Sequence, residues 1–272
     1  MGIEHQTAYR SLPGVPTGFS RLDMITSGLQ PEHLVVLAGL PGIGMTTFAL
    51  NVALNASSQG IPVLFLTLDQ TRHELMERLL AIESGINSND LRRGYLDYQT
   101  WKNKLHPASE SLVKRPLLIH DPVALTIEQL QAQASQLDEW TTCGSDRHRA
   151  LIVVDSLHSV EPAFRGETAE REVAEVARGL KRLARRTGIP VLAVSSLNRG
   201  PTRQERLPLL SDLRGSGSIE GAADLVMFLV ERVADEREHE IIIAKNRGGL
   251  TGAVALRVQA ECGRFAEFSL DD

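Results

Sequence analysis

The sequence predicts an α/β fold: a mostly parallel central sheet flanked by helices and extended by antiparallel C-terminal strands. Three observations carry that prediction. Apolar runs of strand length alternate with segments of helical period between residues 34 and 196, the order that builds parallel sheets. The stretch GLPGIGMTT, residues 39–47, joins one such run to a helical pattern. Beyond residue 200 helical periodicity fades and short strand-like runs follow one another, as they do where an edge is built from hairpins.

Residues 1–16 read as a polar arm, punctuated by Pro13, Gly14 and Pro16, which block regular structure. One domain is predicted over residues 17–272. It opens with a short helix over 18–26, with Thr17 or Ser20 as its cap. LVVLAG (34–39) is a strand buried on both faces, and FALNVALNAS (48–57) keeps an apolar stripe at helical spacing. IPVLFLTLD (61–69) is the second strand and TRHELMERLLAIES (71–84) the next helix. A helix-rich excursion runs to about residue 110. PLLIH (116–120) is a third strand, and TIEQLQAQASQLDEW (126–140) starts with Thr126 and has Glu128 and Gln129 in its first turn, a good helix start. A surface loop spans 141–149, and ALIVVD (150–155) is the most hydrophobic strand. In helix 171–188, Val173, Val176, Ala177, Leu180, Leu183 and Ala184 share a face, and Gly188 stops it. Its Lys181, Arg182, Arg185 and Arg186 read as a solvated face. IPVLAVSS (189–196) is a strand, and a basic, Pro-bounded loop follows at 199–208. The runs ADLVMFLV, EIIIAKN, AVALRVQ and RFAEF complete the sheet.

Composition excludes several function classes. The net charge of −5 and pI near 5.9 give no global basic field, so contact with nucleic acid requires a local patch. The two cysteines, Cys143 and Cys262, fit no metal spacing and read as free thiols in a reducing cytoplasm. No apolar run approaches a membrane span, and the N-terminus lacks the apolar core of a signal peptide.

The chemistry concentrates at GLPGIGMTT. A strand, a Gly-rich turn and a helix form the context of a phosphate-binding loop. Gly39, Gly42 and Gly44 allow backbone amides to approach phosphates, and the helix start at Thr46 and Thr47 adds its positive end. Thr46 is placed to hold Mg²⁺. Met45 stands where the loop pattern has lysine. On these residues alone, a Gly-rich turn that binds nothing remains an alternative. Asp155 and Asp69 each close an apolar strand. At the carboxyl edge of such a sheet, one carboxylate serves the metal and the other polarises an attacking water.

From about Pro16 to Phe268 the chain resembles the C-terminal motor domain of DnaB-type replicative DNA helicases. The segments carrying the resemblance are PTGFSRLDMITSGLQP, the loop, PVLFLTLD, ERLLA, LRRGYL, LIVVDSLHSV, SSLNR, SDLRGSGSIEGAADLVMFL and IIIAKNRGGLTGAVALR. The resemblance implies a RecA-like P-loop NTPase fold, ATP and Mg²⁺ as cofactors, and single-stranded DNA as a partner. It also implies a homo-hexamer or other homo-oligomer, contacts with replication proteins and a cytoplasmic location. Asp69 falls where the family keeps its catalytic glutamate, and Asp155 is the metal-orienting aspartate. His158 matches a position that senses the γ-phosphate. Lys245 and Arg247 match the basic pair that a neighbouring subunit inserts into the nucleotide site, a role worth roughly 10³–10⁵ in rate elsewhere. Arg214, Gly215 and Gly217 match a loop that contacts the single-strand backbone, where amides and one arginine suit phosphate contact without base readout.

The chain departs from that family at three points. Met45 removes a cation whose loss from such a site costs about 10²–10³ in rate. Asp69 is one methylene shorter than glutamate. The arm at 1–16 stands where the family carries an N-terminal domain and linker helix, on which ring assembly and the trans role of Lys245 and Arg247 depend. Two readings follow: a helicase motor with impaired hydrolysis, or a non-catalytic RecA-fold pseudo-ATPase acting as an interaction module.

Overall fold

The computed structural model describes residues 13–141, 149–162, 168–198, 206–232 and 235–268. The arm at 1–12, the loop residues 142–148 with Cys143, and residues 199–205 of the basic loop lie outside the described residues. The strands are β1 (Leu34–Gly39), β2 (Val63–Thr67), β3 (Leu117–His120), β4 (Leu151–Asp155), β5 (Val191–Ser196), β6 (Leu225–Arg232), β7 (Asp235–Asn246), β8 (Gly252–Gln259) and β9 (Arg264–Glu267). They form one sheet in the order β3-β2-β4-β5-β1-β6-β7-β8-β9. Pairing is parallel from β3 across to β6 and antiparallel from β6 to β9. This is the predicted α/β architecture.

Strand periodicity splits the core in two, because successive side chains leave opposite faces. Val35 and Leu37 of β1, Val63 and Phe65 of β2, and Leu151 and Val153 of β4 enter one cluster. Leu34, Val36, Leu64, Leu66, Ile152 and Val154 enter the other. The helices Ser20–Thr26, Met45–Ser58 and Arg72–Ser84 cover the first face. Ile127–Thr141, Ala169–Thr187 and Ser216–Ala222 cover the second. Each large apolar side chain taken fully out of water here contributes about 1.5–3 kcal/mol.

Local chemistry sets the helix ends. Thr71 and Glu74 form a reciprocal capping box at the start of Arg72–Ser84, and Gly85, with φ of 67°, ends it. Thr126 and Gln129 exchange the same pair of bonds. The first helix differs from expectation. Its N-cap is Phe19, with no side-chain cap bond. Its leading amides, Arg21 N and Leu22 N, instead donate to Glu267 of β9 at 2.8 and 3.3 Å. Asp23 turns back to accept from the amide and hydroxyl of Thr17, both at 2.8 Å. Desolvation raises the Asp23 carboxyl to about 6, against the lowering effect of those bonds.

Two further readings are corrected. Gly14, Val15 and Pro16, assigned to the arm, are buried, and Val15 pairs with Leu29. Lys181 is not solvated: its ammonium donates to Glu32 O at 2.8 Å and to Asp224 Oδ2 at 2.7 Å.

Candidate nucleotide-binding site

β1 hands the chain to the helix Met45–Ser58 through Leu40–Gly44. Gly42 and Gly44 have φ of 88° and 96°, values a side chain would strain. Gly44 is the N-cap and brings no side-chain cap, so the amides of the first helical turn point into the loop mouth. Met45 is half-buried and lines the cavity at the loop mouth. It packs against the core beneath the loop, with its sulfur 3.2 Å from where a Cβ on Gly39 would stand.

β4 delivers Asp155 to the same edge of the sheet. Thr46 Oγ1 donates to Asp155 Oδ2 at 2.7 Å. Asp155 is only 3% exposed. Desolvation raises its pKa; the Thr46 bond opposes the rise, the Asp69 charge adds to it and the Arg78 charge reduces it. A hydroxyl and a desolvated carboxylate at a helix start suit a hard oxygen-seeking cation. Mg²⁺ keeps much of its water and needs few protein ligands. The donor set therefore fits it, although no group of three or more His, Cys, Asp or Glu gathers among the described residues.

β2 ends at Thr67, opposite Asp155, so Asp69 lies in the turn beyond the strand rather than at its end. It is exposed and accepts a 2.8 Å bond from Ser159 Oγ. Ser159 Oγ also lies 3.0 Å from Ser156 Oγ. His158 Nε2 is 3.1 Å from Ser195 Oγ of β5. Burial first, then the Arg214 charge, lower the His158 pKa to about 4, against the pull of Asp69. Its imidazole is therefore neutral near pH 7.

Arg214 and Gly215 share a cavity of about 290 Å³ with His158 and Val173. Gly215 has φ of 86°, and a Cβ there would meet Val173 Cγ1 at 2.7 Å. Gly217 is exposed, with nothing within 4 Å of such a Cβ. The three thus flank the same sheet edge as Asp155 and Asp69, on the β5 side.

The loop opens onto a cavity of about 440 Å³ in which Gly42, Gly44, Met45, Thr46 and Thr47 face Gln70, Arg78 and Arg92. An adjoining cavity of about 530 Å³ runs over the β8–β9 turn to His239 and Phe265. Asn51 binds that turn to the helix: its amide donates to Thr47 O at 2.8 Å and to Gly263 O at 2.9 Å. It also accepts from Phe265 N at 3.1 Å. Sequence reading missed Arg78, Arg92, Ser159 and this turn, since nothing in local spacing ties them to the loop.

Lys245 and Arg247 are not brought to the loop. Lys245 pairs with Val226, and Leu225 of β6 pairs with Val35 of β1. Since Val226 pairs with Val36, Lys245 stands three residues or roughly 10 Å below Gly39 along the strand direction, with Arg247 further toward the amino edge of the parallel strands. Within the chain, Lys245 donates to Glu220 O. Arg247 donates to Gly221 O at 2.7 Å and pairs with Asp224 at 3.2 Å.

The family described as "DnaB-like helicase C terminal domain" matches residues 14–267. The chain is 34% identical over 267 residues to the replicative DNA helicase DnaB of Leifsonia xyli subsp. xyli, covering 95% of this chain and 57% of that protein. It thus spans little more than half the length of such relatives. Its fold matches a DnaB-like replicative helicase, solved in a study of its interactions with primase, with a TM-score of 0.89 at 29% identity, over 98% of this chain and 64% of the other. It also matches a solved ATPase domain with the same score and identity, over 98% of this chain and 95% of that one. Matched along nearly its whole described length, the chain belongs to the DnaB-like helicase C-terminal domain family.

Proposed function

We propose that this chain is a DnaB-type helicase motor domain that binds ATP with Mg²⁺, associates with single-stranded DNA in replication or repair, and hydrolyses ATP weakly. The observation that carries the proposal is the Thr46–Asp155 pair at the mouth of a glycine loop. Gly39, Gly42, Gly44, Thr46 and Thr47 cradle the phosphates with backbone amides, and Thr46 and Asp155 hold the metal. Bound Mg²⁺ supplies charge neutralisation across the phosphates. Asp69 orients the attacking water, and neutral His158 reports on the phosphates to Arg214. Arg214, Gly215 and Gly217 contact the backbone of single-stranded DNA. Lys245 and Arg247 complete the site of a neighbouring copy in a homo-hexamer or other homo-oligomer. A cytoplasmic location and contacts with replication proteins belong to the same proposal. No described helix is long and apolar enough to cross a membrane.

Two observations favour the second reading, a pseudo-ATPase acting as an interaction module. Met45 is packed beneath the loop, and Ser159 occupies one oxygen of Asp69.

The deciding experiment measures ATP hydrolysis with and without single-stranded DNA, beside Met45→Lys, with light scattering for oligomeric state. Turnover well above background in the unaltered chain, stimulated by DNA, supports the motor. No turnover in either protein, with a ring present, sinks it in favour of the interaction module.

A further inference from the structure

The phosphate loop of this chain lacks its own cation, yet its cavity does not. Arg78 lines the cavity opposite Gly42, Gly44 and Thr46, is half-buried, and makes no hydrogen bond or ion pair among the described residues. The other arginine facing this cavity differs. Arg92 lies 3.8 Å from Glu77, and its side chain is 66% exposed. The Arg78 charge is felt by Asp155 across the cavity and by Glu74 one turn away, but neither carboxylate bonds to it, so its guanidinium donors stay open to an anionic ligand in the cavity. Arg78 also sits on a firm support. The helix Arg72–Ser84 is fixed by the Thr71–Glu74 capping box and by Leu75 and Leu79, both fully buried.

We infer that Arg78 replaces, from the helix facing the loop, the phosphate-binding cation that Met45 removes. The inference rests on the nucleotide-binding reading above. A guanidinium stays charged at any physiological pH and grips phosphate oxygens in pairs, so it serves this role without rebuilding the loop. Met45 packs against the core while still lining the same cavity, with no charge to offer a phosphate.

Replacement differs from an independent contact in a measurable way. Binding of a fluorescent ATP analogue with Mg²⁺ is measured for the whole chain in four forms: unaltered, Arg78→Met, Met45→Lys and the double variant. Thermal melting checks folding, and Arg78→Lys serves as the conservative control. Arg78→Met is expected to weaken binding at least tenfold in the unaltered chain and threefold or less beside Met45→Lys, while Arg78→Lys retains most of the affinity. Equal losses in the two backgrounds overturn the inference, as does an unaltered chain that fails to bind while Met45→Lys binds. If none of the folded forms binds, the nucleotide-binding reading itself falls and takes the inference with it.

Discussion

Thr46 Oγ1 and Asp155 Oδ2 meet at 2.7 Å, which ties the helix after the phosphate loop to the end of β4 across the intervening strand β5. The bond joins a hydroxyl to a carboxylate that burial destabilises in its charged form. Such a carboxylate is more comfortable with a cation than without one.

Replacing Asp155 by Asn keeps the shape and removes the desolvated charge. Without Mg²⁺, Asp155→Asn is expected to raise the melting temperature by about 2–4 °C, the shift that roughly 1 kcal/mol gives in a domain of this size. The parent should gain stability when Mg²⁺ and nucleotide are added together, and the variant should not. Calorimetry of both proteins, with and without ligand, checks this. A parent-like ligand response in the variant would remove Asp155 from the metal site.

Two desolvated groups drive stability in opposite directions with pH. His158 is depressed to about 4 in the folded chain, so between there and its ordinary 6.5 the unfolded state holds more protons, and its contribution to stability rises with pH. Asp23 is raised to about 6 from 3.8, so the folded state holds more protons across that range, and its contribution falls as pH rises. Each slope approaches about 1.4 kcal/mol per pH unit at most. Relative to the parent, the urea-unfolding free energy of His158→Gln should therefore lose its rising component between pH 4 and 6.5. Asp23→Asn should lose a falling component between pH 4 and 6. Identical pH profiles for parent and variants would contradict both assignments.

Asp224 holds the two ends of a charge cluster. It is 4% exposed, accepts from Leu34 N at 2.9 Å, and pairs with Lys181 at 2.7 Å and Arg247 at 3.2 Å. Desolvation alone would raise its pKa; the Lys181 bond and the Leu34 amide prevail and lower it. Asp224→Ala leaves Lys181 largely buried without its anion and is expected to cost about 3–5 kcal/mol. Lys181→Met with Asp224→Leu should cost less than the single change, which chemical denaturation of the three proteins would measure.

Fold and site were not equally legible. The two-faced burial of β1, β2 and β4 follows from continuous apolar runs, and Thr71, Thr126 and Gly188 announced their helix ends locally. The Ser20–Thr26 helix misled because its amides are capped by Glu267, nearly the whole chain away. The loop glycines, Thr46 and Asp155 were readable because a fixed chemistry demands them at fixed places in the strand order. Ser159 and Arg78 were not, since only the folded turn after β2 and the helix beyond it bring them to the loop. Met45 was visible as a missing charge; its packing against the core was not, because that depends on the fold around it.

The distance between the phosphate loop and the pair Lys245 and Arg247 also bears on assembly. Where copies join head to tail, the cations of one reach toward the loop of the next. Such a chain of contacts either closes or runs on. Left open, it ends with one copy whose loop has no visiting cations and another whose cations have no loop to visit.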